Sequence, residues 1–321
     1  MNQIEGEVLE FKYEEISDKV VMNDVANRVS IMPPDDFSFN ECLVFLARSP
    51  NEILHTVREG SLYKLIKIDE KLIVIKVFQE NDVIVIEFSN QSLDRSTKLA
   101  FSYYVWDLFD LGRDLKDFYK IGLKDKVLNQ VITNHFGLRI IGIPDLFEAL
   151  SWAIMGQQIN LTFAFTLKRK FVEKYGESFS WNNEVYWLFP VPEVIAKLEV
   201  SDLMSLQFTK RKAEYVIGIA KLMSDGILSR EQLLNLPSYE EKLKALVNIR
   251  GVGNWTADYT LMKCLMEPSA FPIADVGLHN ALKTQLKLEK KPSIDEIKQL
   301  AKNWKGWEGY VTFYLWRSLY M

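Results

Sequence analysis

Three things are scarce in this chain of 321 residues. It has two cysteines, Cys42 and Cys264, too few for a disulfide scaffold, a four-thiolate zinc site or a four-cysteine iron–sulfur cluster. It has no excess of positive charge. Its 39 basic and 43 acidic side chains leave −4, which argues against a broad basic surface for a polyanion or a membrane but leaves room for a local binding device. It also has no apolar run of about 18 residues, so no membrane span is expected. The three histidines, His55, His135 and His279, are far apart and lack metal-ligand spacing; they read as surface or core residues. The opening MNQIEGEVLE is acidic and lacks the basic-then-apolar order of a secretory signal, which leads us to expect a cytoplasmic protein. What is present, 48% hydrophobic and 26% charged residues, suits an ordinary folded chain rather than a disordered one.

The patterning changes along the chain. Glu7–Tyr13, Tyr63–Ile68, Lys71–Val77 and Asp82–Phe88 are short runs rich in β-branched and aromatic residues, separated by turn-like pairs such as Asp69-Glu70 and Glu80-Asn81; they predict antiparallel hairpins. Asn40–Arg48 and Glu52–Glu59 read as helices covering one face of that sheet. From about Thr97 the period becomes helical. Helices are expected at Leu99–Leu111, Leu123–Asn134, Pro144–Met155, Leu161–Tyr175, Lys210–Ser224, Tyr239–Val247, Trp255–Leu265 and Val276–Leu286, with further short helices to the C-terminus. The fold class is therefore α+β: an antiparallel β-sheet domain with helices over 1–119, then an all-α domain over 120–321.

One stretch carries chemistry: LVNIRGVGNWTA, residues 246–257. Ser238 and Glu241 form a capping-box pattern that opens a helix. Gly251-Val252-Gly253 interrupts it, and a second helix starts near Asn254. Glycines permit positive φ and, without Cβ, let backbone N–H groups approach an anion. The second helix adds the partial positive charge of its N-terminus. The result is a phosphate seat that needs no Lys or Arg. A bare G-x-G is more often a helix C-cap; the full pattern, with Leu before Ile and Val between the glycines, points to nucleic acid.

This stretch resembles the helix-hairpin-helix motif of the DNA glycosylase superfamily that carries a Gly/Pro-rich loop and a catalytic Asp. FPIADVGLHNAL at 271–282 is similar to that loop, with Asp275 twenty-two positions after Gly253. ALSWAIMGQQIN at 149–160 is similar to the family's helix and DNA-probing loop, and LFDLGRDLKDFY at 108–119 and LQFTKRKAEYV at 206–216 also match. Within the superfamily the similarity is greatest to the branch of DNA-3-methyladenine glycosylase II, and it spans most of the chain.

The resemblance implies an enzyme of base excision repair, monomeric, acting on double-stranded DNA with damaged bases and requiring no cofactor. Asp275 is the implied catalytic carboxylate; a fixed anion near C1′ stabilises the oxocarbenium-like transition state of N-glycosidic cleavage. Trp255, Tyr259 and Trp316 are the implied substrate-binding aromatics, since aromatic faces attract cationic alkylated purines. Gly251, Val252, Gly253 and Thr256 are expected at the DNA, together with Gln157 and Gln158, one of which fills the gap left by the everted base. The backbone carbonyls of Val247, Ile249 and Val252 are implied ligands of a monovalent cation, Na or K, bridging to a phosphate. Relatives that remove oxidised bases and nick the strand through a Schiff base carry Lys where Trp255 stands, so the expected reaction is hydrolysis alone. The competing readings are a bifunctional glycosylase/lyase for oxidised guanine and a non-enzymatic DNA-binding module. The basic runs 168–170 and 210–212 read as solvated helix faces, and Trp152 as core.

Overall fold

A computed structural model describes residues 16, 18–23, 27–68, 70–90 and 93–320. The run Glu7–Tyr13 lies outside them. Eight strands are described: β1 (Val20–Asn23), β2 (Arg28–Ile31), β3 (Thr56–Arg58), β4 (Ser61–Ile68), β5 (Lys71–Glu80), β6 (Val83–Phe88), β7 (Ser178–Trp181) and β8 (Glu184–Trp187). The helices are α1 (Phe39–Leu46), α2 (Arg95–Leu108), α3 (Lys116–Gly122), α4 (Asn129–Asn134), α5 (Leu146–Gly156), α6 (Leu161–Tyr175), α7 (Pro192–Ile195), α8 (Val200–Met204), α9 (Lys210–Ser224), α10 (Arg230–Leu234), α11 (Tyr239–Val247), α12 (Asn254–Cys264), α13 (Val276–Gln285), α14 (Ile294–Ala301) and α15 (Glu308–Arg317).

The first six strands form an antiparallel sheet in the order β1-β2-β6-β5-β4-β3. Its register, with Ile75 opposite Phe88 and Val77 opposite Ile86, sends alternate side chains to opposite faces. Ile73, Ile75 and Val77 join Phe39, Phe45 and the buried residues of the helices in one continuous core. Leu65 and Val74 face the other way. There they meet Tyr186 of β8, with Phe179 and Trp181 of β7 packed alongside. The β7–β8 hairpin thus folds back from the helical part onto the outer face of the sheet, where Arg58 pairs with Glu184. The sequence reading did not contain this hairpin, nor β1 and β2; all four are only four residues long, too short for alternation to mark them.

Two expected helices are corrected. Glu52–Glu59 is not helical; it leads into β3. The Glu52 carboxylate accepts the N–H groups of Ile53 and Leu54 at 2.9 and 2.8 Å, and those donors are lost to a helix. Leu123–Asn134 is broken for the same reason. Asp125 Oδ1 takes the N–H groups of Val127 and Leu128, so the chain turns there and only Asn129–Asn134 is α-helical. Elsewhere the caps fix the ends. The side chains of Asn160, Thr209 and Ser238 accept the N3 N–H of α6, α9 and α11.

Both cysteines are buried and unpaired, and burial pushes each thiol up to about 12, which makes them inert. Among the described residues no helix is long and apolar enough to cross a membrane.

Candidate active site

Three chain segments converge on the N-terminal ends of α12 and α13. The first is the turn between α11 and α12. Gly251 sits at φ +94°, and a Cβ there would lie 2.2 Å from the Tyr215 ring; this glycine is required both by conformation and by the packing of α9 beneath it. Gly253 differs from the expectation. It caps α12 at φ −89°, ψ 176°, an extended conformation open to any residue, and a Cβ there would meet nothing within 4 Å. Its role is therefore free space over the first turn of α12, not positive φ. Val252 is buried and its N–H returns to the Ile249 carbonyl at 3.0 Å, which closes the turn. Among the described residues the N–H groups of Gly251 and Gly253 reach no backbone acceptor.

The second segment is the loop after α5. The expectation joined Gln157 and Gln158; the structure separates them. Gln157 donates to the Gly251 carbonyl at 3.1 Å and to Thr256 Oγ1 at 3.0 Å. Gln158 is exposed and holds a left-handed backbone, φ +55°, uncommon for a residue other than glycine. Thr256, expected at the DNA, has a buried side chain engaged by Gln157, so it can offer DNA only the N–H it contributes to the first turn of α12. Lys212 donates to the Met155 carbonyl at 2.8 Å and so satisfies the C-terminal end of α5 just before this loop. Lys212 and Lys168 are both buried, which corrects the reading of the two basic runs as wholly solvated faces.

The third segment is the loop from Phe271 to Asp275. Asp275 caps α13, its Oδ1 accepting the Leu278 N–H at 2.8 Å. The same oxygen accepts Trp316 Nε1 at 2.7 Å, and Oδ2 accepts Trp255 Nε1 at 3.0 Å. Two indoles and a backbone amide thus orient the half-buried carboxylate. Trp255, Tyr259 and Trp316 are in contact, with ring centroids 5.7 Å apart for the first pair and 6.1 Å for the second. The expected catalytic carboxylate and the three aromatics expected around it are therefore brought together.

Several residues of this site were missed in the sequence. A Cβ on Gly277 would lie 2.9 Å from Asp275 Oδ1 and 3.1 Å from the Trp316 ring, so only glycine fits; a glycine inside a helix is the available signal. Asp258, buried on α12, accepts the Tyr239 hydroxyl and the Phe271 N–H. Burial raises its carboxyl to about 6. His279 bonds to the Ile273 carbonyl at 2.8 Å. Asp258 and His279 brace the loop that delivers Asp275.

Beyond Tyr259 lies a cleft between the N-terminal part and the helices, lined by Arg48, Glu148, Trp152, Phe165, Lys168 and Lys263 among others. Lys168 bridges Glu52 at 3.0 Å and Glu148 at 3.5 Å, and its Nζ stands 5.3 Å from the Trp152 ring. Lys263 is buried, bonded to the Ile141 carbonyl; burial pushes its amine well below the ordinary lysine value, and the Arg48 charge adds to this. Among the described residues no group of three or more His, Cys, Asp or Glu side chains is placed to hold a metal.

A glycine turn joining two helices, followed by a Pro-led loop that ends in an Asp-capped helix, defines a helix-hairpin-helix glycosylase. The chain belongs to the HhH-GPD superfamily of base excision DNA repair proteins, whose family model matches residues 151–306; residues 32–150 match the N-terminal domain of 8-oxoguanine DNA glycosylase. It is 43% identical over 303 residues, 93% of this chain and 98% of the other, to the DNA-3-methyladenine glycosylase of Bacillus subtilis. To DNA-3-methyladenine glycosylase 2 of Escherichia coli it is 28% identical, over 56% of this chain and 60% of that one. Among solved structures, the 3-methyladenine DNA-glycosylase from Archaeoglobus fulgidus superposes with a TM-score of 0.77 at 23% identity, covering 89% and 97% of the two chains. The Clostridium acetobutylicum 8-oxoguanine glycosylase/lyase bound to duplex DNA gives 0.73 at 20%, covering 93% and 96%; these two likenesses concern the fold. The chain is thus a DNA glycosylase, an enzyme that acts on N-glycosidic bonds.

Proposed function

We propose that this glycosylase acts as a monomer on duplex DNA, everts alkylated purines of the 3-methyladenine and 7-methylguanine type, and hydrolyses their glycosidic bonds to leave an intact abasic site. The observation that carries the reading is the setting of Asp275: a carboxylate held by Trp255, Trp316 and the Leu278 N–H, beside Tyr259, with an indole at the position that a lyase fills with an amine. Expulsion of the base leaves positive charge on the sugar, and a pre-oriented anion beside C1′ stabilises it without reorganising. The same carboxylate receives a proton from the attacking water as the new C–O bond forms. Because the cationic base is already a good leaving group, the aromatic faces of Trp255, Tyr259 and Trp316 need supply only stacking and cation–π attraction, about 0.5–2 kcal/mol each.

In this reading the first turn of α12 and the turn Gly251–Gly253 grip a phosphate through backbone N–H groups, while Gln158, exposed at the loop tip, takes the place of the everted nucleotide. Val247 ends α11, where carbonyls lack helical partners; its oxygen with those of Ile249 and Val252 would hold a hard monovalent cation, whose charge would favour a phosphate at the turn. The described residues of 1–119 brace those of the catalytic half, 120–321, and supply one wall of the cleft.

The second reading is removal of oxidised guanine with strand nicking, favoured by the match of residues 32–150. Trp255 stands against it, as does the seclusion of Lys263, about 12 Å further along α12 at 1.5 Å per residue and bonded to Ile141. Incubation with methylated duplex DNA and with an 8-oxoguanine duplex, each with borohydride, separates the two. The expected result is free methylated purine and no protein–DNA adduct. An adduct on the 8-oxoguanine duplex without methylpurine release refutes the proposal.

A further inference from the structure

The aromatic run that begins at Asp275 does not stop at Tyr259. Trp316 contacts Phe313 with centroids 6.3 Å apart, and Phe313 contacts Phe45 of α1 at 4.4 Å. At the far end the Arg48 guanidinium lies 4.0 Å from the Phe45 centroid and 5.6 Å from that of Phe165. It lines the cleft that Tyr259 also lines. One of its N–H groups donates to the Phe45 carbonyl at 2.8 Å. Among the described residues no carboxylate stands within ion-pair distance of it, unlike Lys168 in the same cleft, which is bound by two. Its charge acts on both the Tyr259 hydroxyl and the Lys263 amine.

A guanidinium has five donors and no acceptor. One left without an acid in an aromatic cleft, its central carbon 4.0 Å from a phenyl centroid, is arranged to meet an acceptor from outside the chain. In a purine the C6 substituent lies on the six-membered ring, at the end remote from the N9–C1′ bond. We infer that C1′ sits beside Asp275 and that end of the base in the cleft that Tyr259 and Arg48 both line, and that Arg48 is a specificity-determining residue that reads the C6 position of the everted purine, favouring a carbonyl oxygen over an amino group. The inference rests on the proposal that the enzyme takes alkylated purines.

The test exploits two bases of equal charge. 7-Methylguanine and 3-methyladenine are both cationic, but the first carries a carbonyl at C6 and the second an amino group, so attraction to the cleft as a whole cancels in their ratio. Duplex DNA treated with a methylating agent supplies both, and their release is measured for wild type, Arg48→Met and Arg48→Lys. The expected result is a 7-methylguanine to 3-methyladenine ratio of kcat/KM that falls at least fivefold in Arg48→Met, because 7-methylguanine release slows while 3-methyladenine release holds or rises. Arg48→Lys, which keeps a donor and the charge, falls between the two. An unchanged ratio overturns the inference, whether both rates hold or both fall together as they would for a merely structural arginine. Should Arg48→Met fail to fold, the ratio for Arg48→Lys decides. A wild type that releases neither base refutes the alkylated-purine reading itself and takes the inference with it.

Discussion

The N-termini of α12 and α13 lie close together and solve opposite problems with the same physics. Each presents unsatisfied N–H groups and a partial positive charge. The first is capped by Gly253, whose missing side chain leaves open space. The second is capped by Asp275, which places a carboxylate on the helix end and steadies it with Leu278, Trp255 and Trp316. In the proposed reading the empty cap admits an anion from outside and the filled cap fixes one inside. In this way an acidic protein would hold a polyanion and stabilise a nascent cation at two helix ends twenty-two positions apart in sequence.

The comparison breaks most visibly at the filled cap. Asp275→Asn keeps the Oδ1 acceptor for Leu278 and Trp316 but sets its Nδ2 against the Trp255 indole N–H, so a stability loss of about 1–3 kcal/mol is expected, while base release falls at least about 10³-fold. A purified, folded variant that releases methylpurines at the wild-type rate refutes the role. Gly277→Ala perturbs the same cap from behind. Its methyl group forces Asp275 or Trp316 aside, and release is expected to slow by roughly 10- to 100-fold. Gly277 is the second residue of α13, and a weakened Asp275 cap costs about 1 kcal/mol, so the melting temperature should fall slightly while the fold persists; a wild-type release rate contradicts the geometry.

Gly253→Asp converts the empty cap into a filled one. The helix should gain a few tenths of a kcal/mol, while affinity for undamaged duplex falls at least about tenfold through repulsion of the phosphate. Unchanged affinity in a binding titration removes the hairpin from the DNA interface. The smallest effect concerns the brace. Asp258 has a folded-state pKa near 6 against an ordinary 3.8, so the folded protein binds the extra proton. The stability this confers is complete below about pH 4 and is lost as pH rises through 6. Asp258→Asn cannot ionise and keeps an acceptor for Tyr239 and Phe271. Its melting temperature relative to wild type should rise between pH 4 and 7, by the equivalent of at most about 3 kcal/mol at 1.4 kcal/mol per pKa unit. A difference that is constant with pH rules out this titration.

What could be read in the sequence follows from how local its cause is. The helices α6, α9 and α11 have the expected limits because each begins at a short polar cap that belongs to the same segment. The gathering of Asp275, Trp255, Tyr259 and Trp316 was legible through spacing and resemblance. Glu52 and Asp125 were not, because a carboxylate that takes two neighbouring N–H groups resembles any helix-compatible acid until its rotamer is known. Gly253 had to be corrected because its use is the space around it, which no local pattern encodes. Gln157 and Gln158 are adjacent and chemically identical; only the fold assigns one to Gly251 and Thr256 and leaves the other exposed.

That assignment bears on how the enzyme searches. In the proposed reading Gln158 probes the duplex and the hairpin seats a phosphate, and the Gln157 amide, shared between the hairpin carbonyl and the α12 threonine, ties the one to the other. On that reading a seated phosphate would set which base step lies under Gln158.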